Sequence, residues 1–308
     1  MRIITHWNNV DPVCRGASAA MGNFDGVHRG HQAVIDRARR AGMPLGIVTF
    51  EPHPREYFTP DAPPFRLMNA ESRFNRLERL GVDCLFQLPF DAELAGLAPE
   101  DFARDVLAEG LGLRHVVVGA DFCFGKRRAG TAEMLRDFGA RFGFDVTILP
   151  LIRSDAGVFS STAIRDALSA GRPADAARML GHRHRIDGAV QHGEKRGRDL
   201  GYPTANLSIA GLHRPRFGVY AVKVQVMSGP YKGEYDGVAS LGVRPMFGEN
   251  VPNLEVHLFD FSGDLYGTHL SVGLVEFLRG EERFDTLEAL IAQMDDDSAR
   301  ARAILAGA

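Results

Sequence analysis

Short apolar runs alternate with helix-length amphipathic segments through roughly the first 180 residues, and this alternation restricts the fold more than any other property of the chain. Ala17 to Met21, Leu45 to Phe50, Cys84 to Leu88, His115 to Val118 and Val146 to Pro150 read as strands. Between them, residues 30 to 41, 70 to 80, 99 to 110 and 131 to 142 place apolar side chains at three and four spacing, as Phe102, Val106 and Leu107 do, and read as helices. Strands separated by helical crossovers form a parallel sheet with helices on both faces, so the pattern predicts a Rossmann-like α/β domain.

Beyond a short helix from Ala174 to Leu180 the rhythm changes to short alternating strands, with candidates at Gly218 to Val224, Tyr235 to Leu241 and Leu254 to Phe259. An antiparallel β-barrel is the closure that removes exposed edges. Helical spacing returns from Asp285 to Leu305 through Leu287, Leu290, Ile291 and Met294, which predicts one C-terminal helix packed on the barrel. The reading is α/β plus β, with domains at 1–182 and 183–308. A chain of 308 residues with 45% hydrophobic content can fill two cores of this kind.

A formal net charge of −3 weighs against a nucleic-acid partner, because such domains carry a basic surplus. Local basic patches remain at Lys126-Arg127-Arg128 and Lys195-Arg196-Gly197-Arg198. The opening Met1-Arg2-Ile3-Ile4-Thr5-His6-Trp7 lacks the apolar core of a secretory signal and no later run is long enough to cross a bilayer, so a cytoplasmic protein with no membrane partner is expected. Oligomeric state stays open. Cys14, Cys84 and Cys123 are widely spaced and odd in number, and are expected to be three small buried hydrophobes with neither a disulfide framework nor a metal site.

The segment richest in chemistry is Gly22-Asn23-Phe24-Asp25-Gly26-Val27-His28-Arg29-Gly30-His31-Gln32, which ends the first strand and opens a helix. Glycines permit a tight turn, and the helix start offers unpaired N–H groups and a positive dipole end to an anion. His28 and His31, three apart, point the same way if they straddle the first turn. A phosphate pocket at the carboxyl end of the first strand is the resulting expectation, against the plainer reading of two histidines decorating a turn.

These residues resemble the H-x-G-H nucleotidyltransferases, and within them the bacterial bifunctional riboflavin kinase/FAD synthetases. The resemblance continues in order through Thr49-Phe50-Glu51-Pro52-His53-Pro54, Gly119-Ala120-Asp121-Phe122-Cys123-Phe124-Gly125, Ser160-Ser161-Thr162-Ala163-Ile164-Arg165, Gly197-Arg198-Asp199-Leu200-Gly201-Tyr202-Pro203-Thr204-Ala205-Asn206 and Asp264-Leu265-Tyr266-Gly267. It implies an enzyme that phosphorylates riboflavin with ATP to FMN and adenylylates FMN to FAD with release of pyrophosphate. The partners are then small molecules, with Mg2+ as cofactor.

In the first half the resemblance implies that His28 and His31 hold ATP phosphates and stabilise charge as pyrophosphate leaves, with Gly22, Asn23, Phe24, Asp25, Gly26 and Gly30 shaping the pocket. Ser161, Thr162 and Arg165 would form a second anion-facing helix start. Asp121 would lie near nucleotide or flavin, though an Asp ending a strand is equally a turn former, and Asp25 equally a turn brace. His53, held between prolines, is expected to shape a wall.

In the second half, Thr204 and Asn206 would engage magnesium, a metal that prefers oxygen ligands. Gly197, Arg198, Gly201 and Pro203 would cover the nucleotide, with Gly193 in the same flap, and Arg244 would contact substrate. Met246 stands where relatives commonly carry Thr. Glu255 matches the catalytic glutamate expected to act as general base. Read without that context, Glu255 alternates with core-facing Leu254, Val256 and Leu258 and is a solvent-facing strand residue. Two further readings were weighed: a flavin-binding or regulatory protein without turnover, and an aminoacyl-tRNA synthetase relative, which shares H-x-G-H but would need a K-M-S-K-S run that is absent.

Overall fold

The computed structural model describes residues 1–150, 153–154, 157–192, 201–246 and 249–308. They form two compact units, Met1–Pro63 with Phe74–Phe159, and Pro64–Arg73 with Ser160–Ala308.

The first unit runs through β1 (Arg2–Ile4), β2 (Ser18–Met21), β3 (Leu45–Glu51), β4 (Cys84–Pro89), β5 (His115–Gly119), the small hairpin of β6 (Cys123–Phe124) and β7 (Gly130–Thr131), then β8 (Asp145–Leu149) and the short pair β9 (Arg153–Ser154) and β10 (Gly157–Val158). Its main sheet has the order β1-β4-β3-β2-β5-β8, with every pairing parallel. The accompanying helices are α1 (Arg29–Ala38), α2 (Pro54–Phe58), α3 (Ala70–Arg79), α4 (Ala92–Gly96), α5 (Pro99–Asp101, continuing as π-helical turns over Phe102–Gly110) and α6 (Ala132–Phe142). From β2 the chain winds outward to β3 and β4, then returns to lay β5 and β8 on the other side of β2. The direction therefore reverses between β2 and β5, and at such a switch point the carboxyl ends of the strands leave a crevice for ligand.

Continuous burial of Leu45 to Phe50 is what a central parallel strand requires. Gly46 is needed there, because a Cβ would stand 2.9 Å from the Phe86 ring. Trp7, Phe50, Phe86, Phe102, Leu107 and Leu135 fill the same core, each contributing about 1.5–3 kcal/mol through burial.

One expectation is corrected here: Cys14 and Cys84 are buried but joined in a disulfide across 70 residues of sequence, while Cys123 is free and half-buried. Cys14 ends a short 3-10 turn at Pro12–Cys14 and Cys84 opens β4, so the fold brings together two residues whose spacing along the chain carried no signal.

A buried polar relay also crosses this sheet. Thr147 Oγ1 lies 2.9 Å from His115 Nε2, His115 Nδ1 lies 2.7 Å from Ser18 Oγ, and Ser18 Oγ donates to the Ala38 carbonyl at 2.5 Å, which ties the end of α1 to β2, β5 and β8. Since Ser18 spends its proton on Ala38, His115 donates from Nδ1 and accepts at Nε2.

The second unit opens with α7 (Ser161–Ser169) and α8 (Pro173–Leu180), followed by β11 (Arg185–Ala189), β12 (Ala205–Ser208), β13 (Gly218–Val226), β14 (Gly233–Met246), β15 (Glu249–Leu258), β16 (His269–Arg279) and α9 (Leu287–Leu305). The strands form an antiparallel sheet of order β11-β16-β13-β14-β15-β12. A bridge between Gln191 and Asn206 draws its two edge strands together into a nearly closed barrel. Tyr220, Val222, Leu241, Leu254, Val256 and Leu274 fill the interior. On the outer face, Val219, Ala221, Phe259 and Leu278 pack on Ala301 and Leu305 of α9, and Arg279 of β16 clamps the buried Asp297 of α9 at 2.8 Å.

Burial, reinforced by the guanidinium groups of Arg40 and Arg37 and opposed by Asp145, pushes the His115 imidazole down from 6.5 to about 4. Unfolding frees it to bind a proton, so its contribution to stability is full above about pH 6.5 and falls away as the pH drops toward 4, a loss of about 3 kcal/mol at most. The urea midpoint is expected to fall more steeply between pH 7 and pH 4.5 in the native chain than in His115→Asn. Parallel pH profiles would show that His115 carries none of the effect.

Candidate functional site

The turn from Gly22 to His28 leaves β2 at the switch point. Phe24, Gly26 and Val27 all take left-handed φ, at 51°, 84° and 43°. That conformation is costly for a phenylalanine and more so for a β-branched valine, and strain of this kind concentrates at functional turns. Phe24, Asp25, Val27 and His28 are buried, and Asp25 stands only 6% exposed in the turn.

His28 is the N-cap of α1. Its Nδ1 accepts the His31 N–H at 3.3 Å, so the neutral ring carries its proton on Nε2 and presents a donor. The His31 ring stacks on it with centroids 3.7 Å apart and planes 15° from parallel. His31 Nδ1 is buried and makes no hydrogen bond among the described residues, a feature that calls for a partner the chain does not supply. Burial, with His28 as a secondary cause, holds the His31 imidazole well below its ordinary range, leaving it neutral at physiological pH. Gly30 is required by contact, because a Cβ would stand 3.0 Å from the His28 ring. The expected shared direction of the two histidines is what the structure contains.

Asp121 follows β5 in a turn closed by the Phe122 N–H on the Gly119 carbonyl at 3.0 Å, and is exposed. His53 caps α2 by accepting the Arg55 N–H at 3.0 Å, while its own N–H donates to Glu56 at 3.1 Å. That capping box presents Tyr57 and Phe58, 38% and 63% exposed, whose rings meet Phe90 edge-on at 5.4 and 5.7 Å just beyond β4. This aromatic wall at the carboxyl edge of the sheet was missed from sequence. Its signal was two adjacent aromatics in a helix too short to bury both.

Ser160 is the N-cap of α7, accepting the Ala163 N–H at 3.2 Å, with Ser161 half-buried and Thr162 exposed behind it. Arg165 donates from Nε to the Phe65 carbonyl at 2.6 Å and lies over the Phe65 ring at 5.3 Å. These residues belong to the second compact unit.

On the barrel, Asn206 of β12 stands directly opposite Glu255 of β15, which in turn faces Ser240 of β14. Glu255 is 8% exposed, which overturns its reading as a solvent-facing strand residue. Alternation does put it on the face opposite Leu254 and Val256, but that outer face is covered here. Asn253, on the same face, donates its amide to Asn206 Oδ1 at 2.8 Å. His257, also on that face, hydrogen-bonds the Pro203 carbonyl at 3.0 Å and packs near Tyr202, whose hydroxyl donates to Asp295 of α9. The segment leading to Thr204 and Asn206 is thus pinned at both ends. Thr204, two residues before Asn206, is half-buried, and Gly201 takes a left-handed φ of 80°. Asn206 offers an amide oxygen and Thr204, two residues before it, a hydroxyl, oxygen donors of the kind a divalent cation prefers. Gly193, Gly197 and Arg198 lie outside the described residues, as do the side chains of Arg244 and Met246.

Two family models match the chain: FAD synthetase over residues 11–163 and riboflavin kinase over residues 180–305. A bifunctional riboflavin kinase/FMN adenylyltransferase of Pseudomonas fluorescens is 42% identical over 99% of this chain and 98% of its own length. A protein of the same description from Escherichia coli K12 is 38% identical over 93% and 92%. A crystal structure titled as a macrolide-efflux protein from Streptococcus pneumoniae superimposes with a TM-score of 0.83 at 30% identity, covering 98% of each chain. Among the described residues no helix is long and apolar enough to cross a membrane.

The cap geometry separates folding from chemistry at His28. His28→Ala removes the acceptor for the His31 N–H and is expected to cost about 1 kcal/mol, whereas His28→Asn keeps a capping oxygen and is expected to stay within a few tenths of native. Urea midpoints of the two variants check this, and equal losses would mean the cap is immaterial.

Proposed function

This chain belongs to the bifunctional riboflavin kinase/FMN adenylyltransferase family, and from that premise we propose which of its residues carry the two reactions. The enzyme transfers the γ-phosphoryl group of ATP to riboflavin, giving FMN, and then joins FMN to the adenylyl group of a second ATP, giving FAD and pyrophosphate. We assign the second step to residues 1–182 and the first to residues 183–308, in a cytoplasmic setting. The observation that supports the assignment is a pair of separate polar constellations, the stacked His28 and His31 at the parallel sheet and Glu255 facing Asn206 on the barrel.

In the kinase step Glu255 receives the proton of the terminal ribityl hydroxyl as its oxygen attacks the γ-phosphorus. Its low exposure keeps water from competing for that proton. Thr204 and Asn206 would hold the divalent cation, which we take to be Mg2+ and which would neutralise phosphate charge when bound. Gly197, Arg198, Gly201, Pro203 and Arg244 are assigned to nucleotide and flavin contacts on the motif they share with the family.

Adenylyl transfer needs no protein nucleophile, because the FMN phosphate attacks the α-phosphorus itself; positioning and charge stabilisation remain. His28 donates from Nε2 to phosphate oxygens at the head of α1, where backbone N–H groups and the helix dipole also favour an anion. The neutral ring of His31 donates beside it. Gly22, Asn23, Phe24, Asp25, Gly26 and Gly30 shape the turn, while Ser161, Thr162, Arg165 and Asp121 are assigned to nucleotide or flavin. Phe58 and Phe90 give the isoalloxazine an aromatic face on which to stack.

With riboflavin and ATP, His28→Asn is expected to stall at FMN. Glu255→Gln is expected to slow FMN formation by about 10²–10⁴-fold while still converting supplied FMN to FAD. Chromatographic product analysis checks both, and loss of both products in both variants would defeat the assignment. Phe58→Ala is expected to raise KM for FMN about tenfold with kcat nearly unchanged, the loss of a stacking contact worth about 1.4 kcal/mol; an unchanged KM would remove Phe58 from the flavin seat.

A further inference from the structure

The stacked histidines at the head of α1 leave the adenylyl-transfer reading short of positive charge. Two polyanions must meet there, and burial holds the His31 imidazole well below its ordinary range, so His31 supplies a hydrogen bond without a charge. Cations must come from another element.

The β6–β7 hairpin carries three in a row. Lys126, Arg127 and Arg128 form its tip, all exposed, and among the described residues none of their side chains makes a hydrogen bond or ion pair. The hairpin leaves the carboxyl end of β5, and β5 lies beside β2 in parallel register, so this loop and the Gly22–His28 turn emerge from neighbouring strands on the same edge, flanking the switch point.

The tip is rigidly presented. The Lys126 N–H donates to the Leu97 carbonyl at 2.8 Å, a Cβ on Gly125 would stand 2.9 Å from Pro99, and one on Gly130 would stand 2.8 Å from the ring of the buried Phe124. Arg127 and Arg128 then both occupy the left-handed region, at φ 56° and 58°. Each costs about 1–2 kcal/mol there relative to an ordinary conformation, a cost glycine would avoid. Two arginines where folding alone favours glycine mark positions kept for their side chains.

We infer that Lys126, Arg127 and Arg128 form a cationic clamp that binds phosphate groups of the adenylyl-transfer substrates at the crevice between β2 and β5. The clamp rests on the adenylyltransferase reading and adds to it the residues that balance charge. The anion is the phosphate of FMN or the polyphosphate of ATP, which becomes the departing pyrophosphate.

The test is steady-state kinetics of the full chain carrying Arg127→Gly with Arg128→Gly. KM is measured separately for FMN, for ATP and, in the reverse direction from FAD, for pyrophosphate. At least a tenfold rise in KM is expected for one of them, with a flatter dependence on salt, since charge-assisted contacts are lost. A rise for FMN alone identifies the acceptor phosphate; a rise for ATP and pyrophosphate identifies the polyphosphate. The melting temperature is expected to equal or exceed that of the native chain, because strain is relieved, and FMN formation from riboflavin, measured in the same preparation, is expected to be unchanged. All three KM values at native level would overturn the clamp, while native protein that makes no FAD at all would overturn the underlying reading instead. Should the glycine variant also lose FMN formation, Arg127→Gln with Arg128→Gln decides by the same three KM values.

Discussion

One side chain has two obligations at the head of α1, and the first half of the molecule is arranged around it. The helix needs an acceptor for its leading N–H groups, and His28 supplies one through Nδ1. That bond fixes the tautomer and turns Nε2–H toward whatever occupies the crevice. A serine or aspartate would cap as well but would spend its only short reach on the backbone. The imidazole is long enough to cap with one atom and donate with another. Gly30 follows from this choice, since the ring needs the space a Cβ would fill, and so does the stacking of His31. The left-handed Phe24 and Val27 are the backbone cost of delivering the ring there, offset by the packed core beneath.

The barrel meets a comparable demand by different means. An acid meant to take a proton has to be kept from bulk water, yet a carboxylate on the outer face of a barrel is normally hydrated. Glu255 is buried all the same, and on its face of the sheet the Tyr202 to Asn206 segment is held by contacts of Tyr202 with Asp295, His257 with Pro203 and Asn253 with Asn206. The barrel interior is filled by Leu254, Val256 and their apolar partners.

What sequence reveals here depends on how local the cause is. Strands β2, β3, β4 and β5 were legible because a parallel strand buried on both faces must be a continuous apolar run, and the half-buried edge strand β8 through Val146, Ile148 and Leu149. The expected helices lay within a few residues of α1, α3, α6, α8 and α9 because their spacing is local too. β16 escaped notice although five of the eight residues from Leu270 to Phe277 are buried and Gly267 and Gly280 frame it. The Cys14–Cys84 pairing and the burial of Glu255 depend on contacts between elements far apart in the chain. No pattern within a ten-residue window reports them. For Glu255, alternation gave the correct face and the wrong environment, because the period of a strand says which side a residue takes and nothing about what lies over it. The paired histidines were legible for the opposite reason: a spacing of three at a helix start is itself the geometry.

The two constellations also differ in kind, and the reactions account for the difference. Phosphorylating a neutral alcohol requires a place for the hydroxyl proton, hence an acid side chain and oxygen donors that share a cation with ATP. Joining a phosphate to an adenylyl group releases no proton that needs a base, so a general-base carboxylate has no task there. Imidazole and backbone N–H donors suit it, while the positive charge can stand on the hairpin that follows β5, the strand beside β2, rather than at the reacting phosphorus. A chain carrying both reactions therefore gains little by sharing one site, since the base that assists the first step has no task in the second. Separate scaffolds suit that difference: a parallel sheet, whose switch point exposes a helix head to an anion, and a barrel, whose covered outer wall can shelter an acid.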